Sequence, residues 1–236
     1  MGRPPLWTAI RDTLLKEIAQ GHYAPGARLP TEAHLSERFG VNRHTIRRAI
    51  ADLTEQKIVF PRRGSGVFVR HAPTPYPIGR RVRFQQNLLA AGRVADRKVL
   101  SLETRTASAR EAEALGLTTA DAVHVYEGVS LADGAPLSIF CSVFSAERFP
   151  RLLEELREHR SVTAALAAHG LADYTRKSTE ITAKRASHTQ ASILQLLPDE
   201  PVLRTVSINV DADDAPVEYG RSWFAADRVT LTMSDP

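Results

Sequence analysis

Apolar residues recur at helical spacing in the first segment of the chain. Leu6, Ile10, Leu14 and Ile18 repeat every four residues, and two prolines stand at the expected helix start. Gly21 is a suitable residue to end such a helix. The pattern therefore predicts a first helix that buries one face.

A second helix is predicted after a short polar stretch. The hydroxyl of Thr31 can cap its start, and Gly40 is expected to break it. We expect this helix to bury Ala33, Leu35 and Phe39.

A third helix and a hairpin complete the N-terminal pattern. Asn42 is a favourable N-cap, and the predicted buried face carries Ile46, Ala49, Ile50 and Leu53. Two short β-type runs then flank the segment RRGSG, which predicts a hairpin with a basic tip. Three short helices followed by a hairpin predict a winged helix-turn-helix, in which the third helix enters the major groove of DNA.

From residue 80 the pattern is mixed. Strands are predicted near 96–106, 122–132, 136–145, 174–185, 201–211 and 215–224, and helices near 84–91, 108–115, 150–157, 161–169 and 188–196. Asp133 and Gly134 lie between two β runs and predict a tight turn, and DADDAP separates another pair. Strands joined by hairpins predict a mainly antiparallel sheet with helices packed on it, an α+β domain.

Prolines at positions 73, 75 and 77 separate the two patterns. Alternating prolines oppose both helix and sheet, so we expect a semi-rigid connector. The predicted organisation is a DNA-binding domain over 1–71, a linker over 72–79 and a second domain over 80–236.

Composition narrows the classes of protein. Cys141 is the single cysteine of the 236 residues, which excludes an intrachain disulfide and fits a reducing cytoplasm. We find no apolar run long enough for a membrane span and no metal-ligand spacing, so we expect neither a membrane partner nor a metal or cofactor. Residues 1–71 carry 12 Lys and Arg against 6 Asp and Glu, so a basic unit precedes a slightly acidic one. Basic charge of this kind favours a polyanionic partner.

The basic residues of the third helix lie off its predicted buried face. They are Arg43, His44, Arg47 and Arg48, and the hairpin tip adds Arg62 and Arg63. Arginines at the start of such a helix can reach base edges or phosphates of double-stranded DNA. The alternative for the charge run alone is a solvated helix face.

The segment LPTEAHLSERFGVNRHTIRRAIADL followed by RRGSGVFV resembles the DNA-binding domain of GntR-family transcription regulators. The resemblance implies that the chain contacts operator DNA through the recognition helix and the wing. The implied contact residues are Arg43, Thr45 and Arg47 on the helix and Arg63 and Gly64 at the wing. The sequence departs from the family pattern at Ala33, where an arginine is common, and at Lys57, where a glycine usually ends the third helix.

The second domain resembles the UTRA ligand-sensing domain of the HutC subfamily, which has a chorismate-lyase-like fold. The segments RRVRFQQNL, ADGAPL and PVEYGRSWFAADRV carry this resemblance. Within the subfamily, RFQQNL, YTRKSTEITA and the C-terminal segment are most similar to regulators of phosphonate metabolism. The resemblance implies a homodimeric repressor that a small anionic effector, a phosphonate or a phosphate ester, releases or modulates.

Effector-binding residues are predicted in three segments. A basic cluster at a helix start suits a phosphate or phosphonate group, and strand alternation places a tyrosine, an arginine and a serine on one face. That face could equally be an exposed side of the sheet. The third set follows from the resemblance, since subfamily members place effector-site residues in the terminal motif. The residues are Arg81, Arg83, Phe84 and Asn87, then Tyr174, Arg176 and Ser178, and finally Glu218, Arg221 and Phe224.

Two competing functions remain. An enzyme of chorismate-lyase-like fold could use Cys141 with His124, but Cys141 lies in the apolar run LSIFCSVF, which is typical of a buried cysteine, so we predict no catalytic residue. A regulator could instead sense a carboxylate or a sugar phosphate. Gly128 and Ser130 stand where sugar-phosphate-sensing relatives carry two arginines. The effector should therefore differ from a hexosamine phosphate, or be bound by different arginines.

Overall fold

The computed structural model describes residues 5–62, 64–70, 73–81 and 83–233. The chain divides into two compact units, Met1–Ala72 and Pro73–Pro236, each with its own hydrophobic core. Among the described residues, no helix combines the length and the apolar character needed to cross a membrane.

The first unit contains three helices and a hairpin, as predicted. Its elements are α1 (Leu6–Ala19), α2 (Glu32–Phe39), α3 (Arg43–Glu55), β1 (Val59–Arg62) and β2 (Gly66–Val69). The predicted caps are confirmed, because Thr31 Oγ1 accepts from the His34 N–H and Asn42 Oδ1 accepts from the Thr45 N–H. Gly40 closes α2 in the left-handed conformation.

Two residues on the predicted buried faces of this unit are exposed. Leu6, at the start of α1, is 60% exposed, although Ile10 and Leu14 on the same face are buried. Ala33 is exposed, whereas Leu35 is fully buried and Phe39 is half-buried. Leu35 and Phe39 are four residues apart and share a helix face, but Ala33 precedes Leu35 by about 200° of helix rotation. The missing glycine after α3 is replaced by Lys57, which adopts a φ of 58°.

The wing is a small antiparallel ladder. Val59 pairs with Val69 and Arg62 with Gly66. The chain before α2 extends this ladder, since the Leu29 N–H donates to the Val67 carbonyl at 2.8 Å. The winged helix-turn-helix predicted from the sequence is therefore present.

The second unit is an α+β domain. Its strands are β3 (Thr74–Pro77), β4 (Ala95–Thr106), β5 (Ala122–Ala132), β6 (Ala135–Ser145), β7 (Thr175–Arg185), β8 (Pro201–Val210), β9 (Pro216–Ala225) and β10 (Val229–Thr232). Its helices are α4 (Phe84–Ala90), α5 (Ala109–Leu115), α6 (Leu152–His159), α7 (Val162–Ala168) and α8 (His188–Leu194). Six strands form an antiparallel sheet in the order β4-β5-β6-β9-β8-β7. Asp133 and Gly134, both with positive φ, make the predicted tight turn between β5 and β6.

The proline-rich segment is not free of β structure, which corrects the prediction for residues 72–79. Strand β3 pairs in parallel with β10. Thr74 and Tyr76 are buried, while Pro75 and Pro77 are exposed. The Thr74 N–H donates to the carbonyl of Arg228, just before β10, and the Ile78 N–H donates to that of Thr232. The prolines therefore stand at positions where this pairing needs no N–H donor, as edge strands allow.

Helices cover both faces of the six-stranded sheet. On one face, α5 and α8 pack against β5, β6, β8 and β9, around Val143, Cys141 and Trp223. On the other face, α6 and α7 pack on Tyr126 and Phe144. Helix α4, the first helix of the second unit, packs beside α6 and α7 through Phe84 and Leu88. This second face is where the sheet and the helices leave a cavity.

Candidate functional site: a basic helix surface and a polar cavity

The exposed face of α3 carries four basic or imidazole side chains. Arg43, His44, Arg47 and Arg48 are all exposed. The opposite face supplies Ile46, Ala49, Ile50 and Leu53 to the core, as predicted. Thr45 is half-buried, and its hydroxyl lies 2.9 Å from Asn42 Oδ1 at the start of the helix.

The three arginines of α3 are held differently. Arg47 Nε donates to Glu32 Oε2 of α2 at 2.7 Å. The Arg48 guanidinium lies over the Trp7 ring of α1, 4.7 Å from its centroid. Arg43 forms no ion pair with any residue that the structure describes, so its charge at the helix start is the least compensated.

The wing turn is built on glycines with positive φ. Gly64 has a φ of 74° and Gly66 a φ of 106°. The Arg62 backbone belongs to β1, whereas its side chain and the whole of Arg63 lie outside the described residues.

A cavity of about 350 Å³ lies on the second unit's sheet face, bordered by the first turns of α4 and α7. Much of its lining is small and polar. The hydroxyl-bearing residues contributed by β5, β6, β8 and β9 are Ser130, Ser138, Ser142, Thr205, Ser207 and Ser222. This volume suits a small metabolite.

Six of the ten predicted effector residues line this cavity. They are Arg83, Phe84, Tyr174, Arg176, Glu218 and Phe224. They come from three distant segments, α4 with its preceding residue, β7 with its preceding residue, and β9, which the fold brings together.

The predicted residues Arg81 and Asn87 lie outside the lining. Arg81 is exposed and pairs with Asp173. Asn87 is buried, and its Nδ2 donates to the Pro77 carbonyl at 3.1 Å, so it ties α4 to β3.

Ser178 and Arg221 also lie away from the cavity. A β-bulge between Arg176 and Ser178 breaks the alternation, so Thr179 rather than Ser178 shares the cavity side with Arg176. In β9 the even-numbered residues from Glu218 to Phe224 line the cavity. Side chains alternate along a strand, so Arg221 lies on the opposite face of the sheet. There its Nη2 lies 3.0 Å from Cys141 Sγ.

One end of the cavity is a hydrogen-bonded chain of buried polar groups. Arg176 Nε donates to Asn209 Oδ1 at 2.7 Å, and Asn209 Nδ2 donates to Glu218 Oε2 at 2.6 Å. The Ser142 hydroxyl donates to the other Glu218 oxygen at 2.5 Å. Burial lowers the pKa of Arg176 from its ordinary value, although the nearby Glu218 carboxylate opposes this effect.

Two further guanidinium groups face the cavity. Arg83 lies 3.9 Å from the Tyr174 ring centroid and donates to Asp173 at 3.2 Å. Arg97 of β4 lies between the rings of Phe84 and Phe140, at 5.0 and 4.8 Å from their centroids. The exposed Arg160 at the end of α6 also lines the cavity, so four arginines border it against one carboxylate.

Arg97 and the hydroxyl-bearing lining were missed by the sequence interpretation. A signal was available, because Ser138 and Ser142 alternate with apolar residues in β6, and Thr205, Ser207 and Asn209 do so in β8. Small polar residues at every second position of otherwise apolar strands indicate a sheet face that borders a polar space.

Cys141 has the properties of a buried residue rather than a nucleophile. Burial raises the pKa of its thiol to about 11. His124 is not its partner, since the His124 Nδ1 lies 2.8 Å from the Thr104 hydroxyl. In register, His124 faces Phe144, three residues along β6 from Cys141. The pair expected of an enzyme is therefore not assembled.

The profile of the gntR family of bacterial regulatory proteins matches residues 6–69, and the profile of the UTRA domain matches residues 90–230. The chain belongs to the GntR family and carries a UTRA domain. Members of both families are transcriptional regulators and not enzymes.

Relatives of this GntR-family regulator match it along almost the whole chain. An uncharacterised HTH-type transcriptional regulator of Rhizobium meliloti (strain 1021) is 43% identical over 97% of this chain and 94% of its own. The probable transcriptional regulator PhnF of Escherichia coli (strain K12) is 33% identical over 98% of this chain and 95% of its own. The crystal structure of PhnF from Mycobacterium smegmatis superposes with a TM-score of 0.66 at 26% identity, covering 96% of this chain and 99% of that one.

Proposed function

We propose that this GntR-family regulator is a repressor that binds a small anionic effector, a phosphonate or a phosphate ester, in the cavity of its second unit. The protein acts as a homodimer in this proposal, with two winged helices on a double-stranded operator. Repression in this proposal requires no catalytic activity, because a protein bound at the operator is sufficient to block transcription.

The charge of the cavity carries the proposal. Arg83, Arg97, Arg160 and Arg176 line it together with a single carboxylate, Glu218. Both Glu218 oxygens already accept hydrogen bonds from the neutral donors Ser142 and Asn209. Asp173 pairs with Arg83, but the arginines still outnumber the carboxylates around the cavity, and cations partly removed from water are costly when unbalanced. An anionic ligand would supply the missing charge.

The head-group chemistry follows from the donors. Guanidinium groups present a planar fork that matches phosphate, phosphonate and carboxylate oxygens. Phe84 and Phe224 add an apolar wall that suits a short organic substituent. The resemblance of the sequence to regulators of phosphonate metabolism agrees with this chemistry.

The DNA side of the proposal rests on α3 and the wing. Arg43, His44, Thr45, Arg47 and Arg48 would face the major groove, and Gly64 with its neighbouring arginines would contact the backbone or the minor groove. An effector that favours the DNA-incompetent arrangement by about 1–3 kcal/mol would weaken DNA binding about 5- to 150-fold.

A thermal-shift screen of the full chain tests the effector class. Short phosphonates and phosphate esters should raise the melting temperature of the protein, since a ligand that binds only the folded state stabilises it. Neutral and cationic compounds of the same size are the controls. Stabilisation by those controls, with none by the anions, would reject the proposed effector class.

A further inference from the structure

Among the half-buried arginines of the cavity, Arg97 is the one whose charge is least compensated, whereas Arg160 is exposed to solvent. Arg83 is paired with Asp173, and Arg176 donates to Asn209 and Thr179. Arg97 forms no ion pair with a described residue, and its Nε is buried without a hydrogen-bond partner there. A buried donor left without an acceptor is destabilising, so this position calls for an acceptor that the described chain does not supply.

Two serines lie in register with Arg97 on the next two strands of the sheet. Arg97 is directly opposite Ser130 of β5, and Ser130 is directly opposite Ser138 of β6. Both serines are buried and line the cavity. Their hydroxyls donate no hydrogen bond to another described residue, so both donors are available to a ligand.

The aromatic stack around Arg97 depends on a glycine. A Cβ atom on Gly128 would come within 2.6 Å of Phe140 Cζ, so the Phe140 ring occupies the space that a side chain at 128 would fill. Phe140 also packs edge-on against Tyr126 at 4.8 Å and lies 4.8 Å from the Arg97 guanidinium. Gly128 thus lets Phe140 hold Arg97 over the sheet.

We propose that Arg97, Ser130 and Ser138 form the subsite that binds the anionic head group, with Phe140 as the residue that positions Arg97. This inference rests on the proposed function and moves the head group away from Arg83 and Arg176, the arginines expected from the sequence. A planar fork and two hydroxyl donors match the three oxygens of a phosphonate or phosphate monoester better than the two oxygens of a carboxylate. The chain of Arg176, Asn209 and Glu218 is then left for the opposite end of the ligand.

The test is a phosphorus NMR titration of the full-length protein with methylphosphonate, with acetate as a competitor. Arg97→Met keeps most of the side-chain volume and removes the charge, and it should weaken methylphosphonate binding about tenfold or more. Lys98→Ala is the matched control, because Lys98 is the exposed neighbour of Arg97 on β4 and loses the same charge. Arg97→Lys should recover only part of the affinity, since it lacks the fork. Acetate should compete poorly.

A double-mutant cycle tests the positioning role of Phe140. Phe140→Leu should weaken methylphosphonate binding in the wild-type background but have little further effect when Arg97 is Met. Thermal melts of each variant check that the second unit is folded. Equal effects in both backgrounds would show that Phe140 acts on packing alone and would overturn its positioning role.

The outcomes separate this inference from the proposed function. Tight methylphosphonate binding that Arg97→Met leaves unchanged would overturn the subsite and leave an anionic effector in place. Failure of the wild-type protein to bind methylphosphonate or any phosphate ester would overturn both.

Discussion

At the scale of single residues, Lys57 shows how this chain departs from its family pattern. Its N–H donates to the Thr54 carbonyl at 3.0 Å, and its φ of 58° lies in the left-handed region that favours glycine. A residue with a Cβ pays about 1–2 kcal/mol for this conformation. The turn after α3 therefore closes as in a glycine-containing relative, but with local strain.

Replacing Lys57 by Gly should stabilise the first unit. The gain should be about 0.5–1 kcal/mol, because glycine removes the strain but adds entropy to the unfolded chain. Trp7 and Trp223 are the two tryptophans of the chain, so in a Trp223→Phe background Trp7 fluorescence follows urea unfolding of this unit. Lys57→Ala is the control and should give no such gain, since alanine retains the strain. Equal stabilisation by both would show that the lysine charge, and not φ, is responsible.

Arg43 and Arg47 make the DNA-binding hypothesis testable at the same scale. Each change to alanine should weaken operator binding by about 1–3 kcal/mol if the side chains reach base edges. Both residues are exposed, so the melting temperature should not fall by much. Fluorescence anisotropy with a labelled duplex measures the affinity. Lys16→Ala, an exposed charge removed from α1, is the control. If Lys16→Ala weakened operator binding as much, the affinity would depend only on the net charge of the protein and not on contacts made by α3.

At the scale of elements, α5 is fixed to the sheet by one buried carboxylate. Glu111 accepts two hydrogen bonds from Arg105, at 2.7 and 2.8 Å, and one from the Ser108 N–H at 2.9 Å. The Arg105 hydrogen bonds, more than any other interaction, lower the pKa of Glu111 from 4.5 to about 2. Glu111 both caps its helix and joins it to β4.

This carboxylate should make the stability of the second unit depend on pH. A lowered folded-state pKa contributes stability that is complete above the unfolded pKa of 4.5 and is lost as the pH falls through about 2. Glu111→Gln should therefore lower the free energy of unfolding by about 3 kcal/mol near neutral pH, and by much less near the folded pKa. Trp223 fluorescence in a Trp7→Phe background follows this unit. The exposed Glu113→Gln on the same helix is the control. A pH-independent difference would contradict the ionic role.

The elements also show what the sequence could and could not predict. Periodicity located the helices of both units and every strand except β3 and β10, because the apolar faces of those elements are regular. Strand β3 was missed because proline was taken to exclude β structure, although Pro75 and Pro77 both face away from β10. Ser178 was misplaced by a bulge that alternation cannot reveal. Arg97 was missed because its role depends on which strands become neighbours, and pairing is not readable from local pattern.

At the scale of the whole molecule, the cavity wall includes the first strand of the second unit. Tyr76 of β3 lines the cavity, and its ring lies 5.2 Å from Phe224 and 6.5 Å from Phe84. The second unit begins at Pro73, so only a few residues along the chain separate this wall from the DNA-binding unit. A ligand that shifts Tyr76 would act directly on the connecting segment.

The uneven charge of the chain predicts a strong effect of salt on DNA affinity. Phosphate contacts made by basic residues release counterions, so affinity should fall at least about tenfold between about 50 and 200 mM salt. Anisotropy titrations at several salt concentrations give the slope, and Arg43→Ala should reduce it if Arg43 contacts a phosphate. A change of less than about threefold over this range would contradict an electrostatic interface.

In the proposed function an anion bound in the cavity controls DNA binding, and a titration of the protein–DNA complex measures this coupling. The full-length protein is bound to a labelled duplex that it has itself selected from a random pool, and methylphosphonate is added while anisotropy is followed. DNA affinity should fall about 5- to 150-fold for the wild-type protein. Arg97→Met should bind the same duplex equally well and should need about tenfold more methylphosphonate, or more still, for the same release. A wild-type complex that is unaffected by methylphosphonate and by phosphate esters, but is released by a neutral compound, would contradict control by an anionic effector.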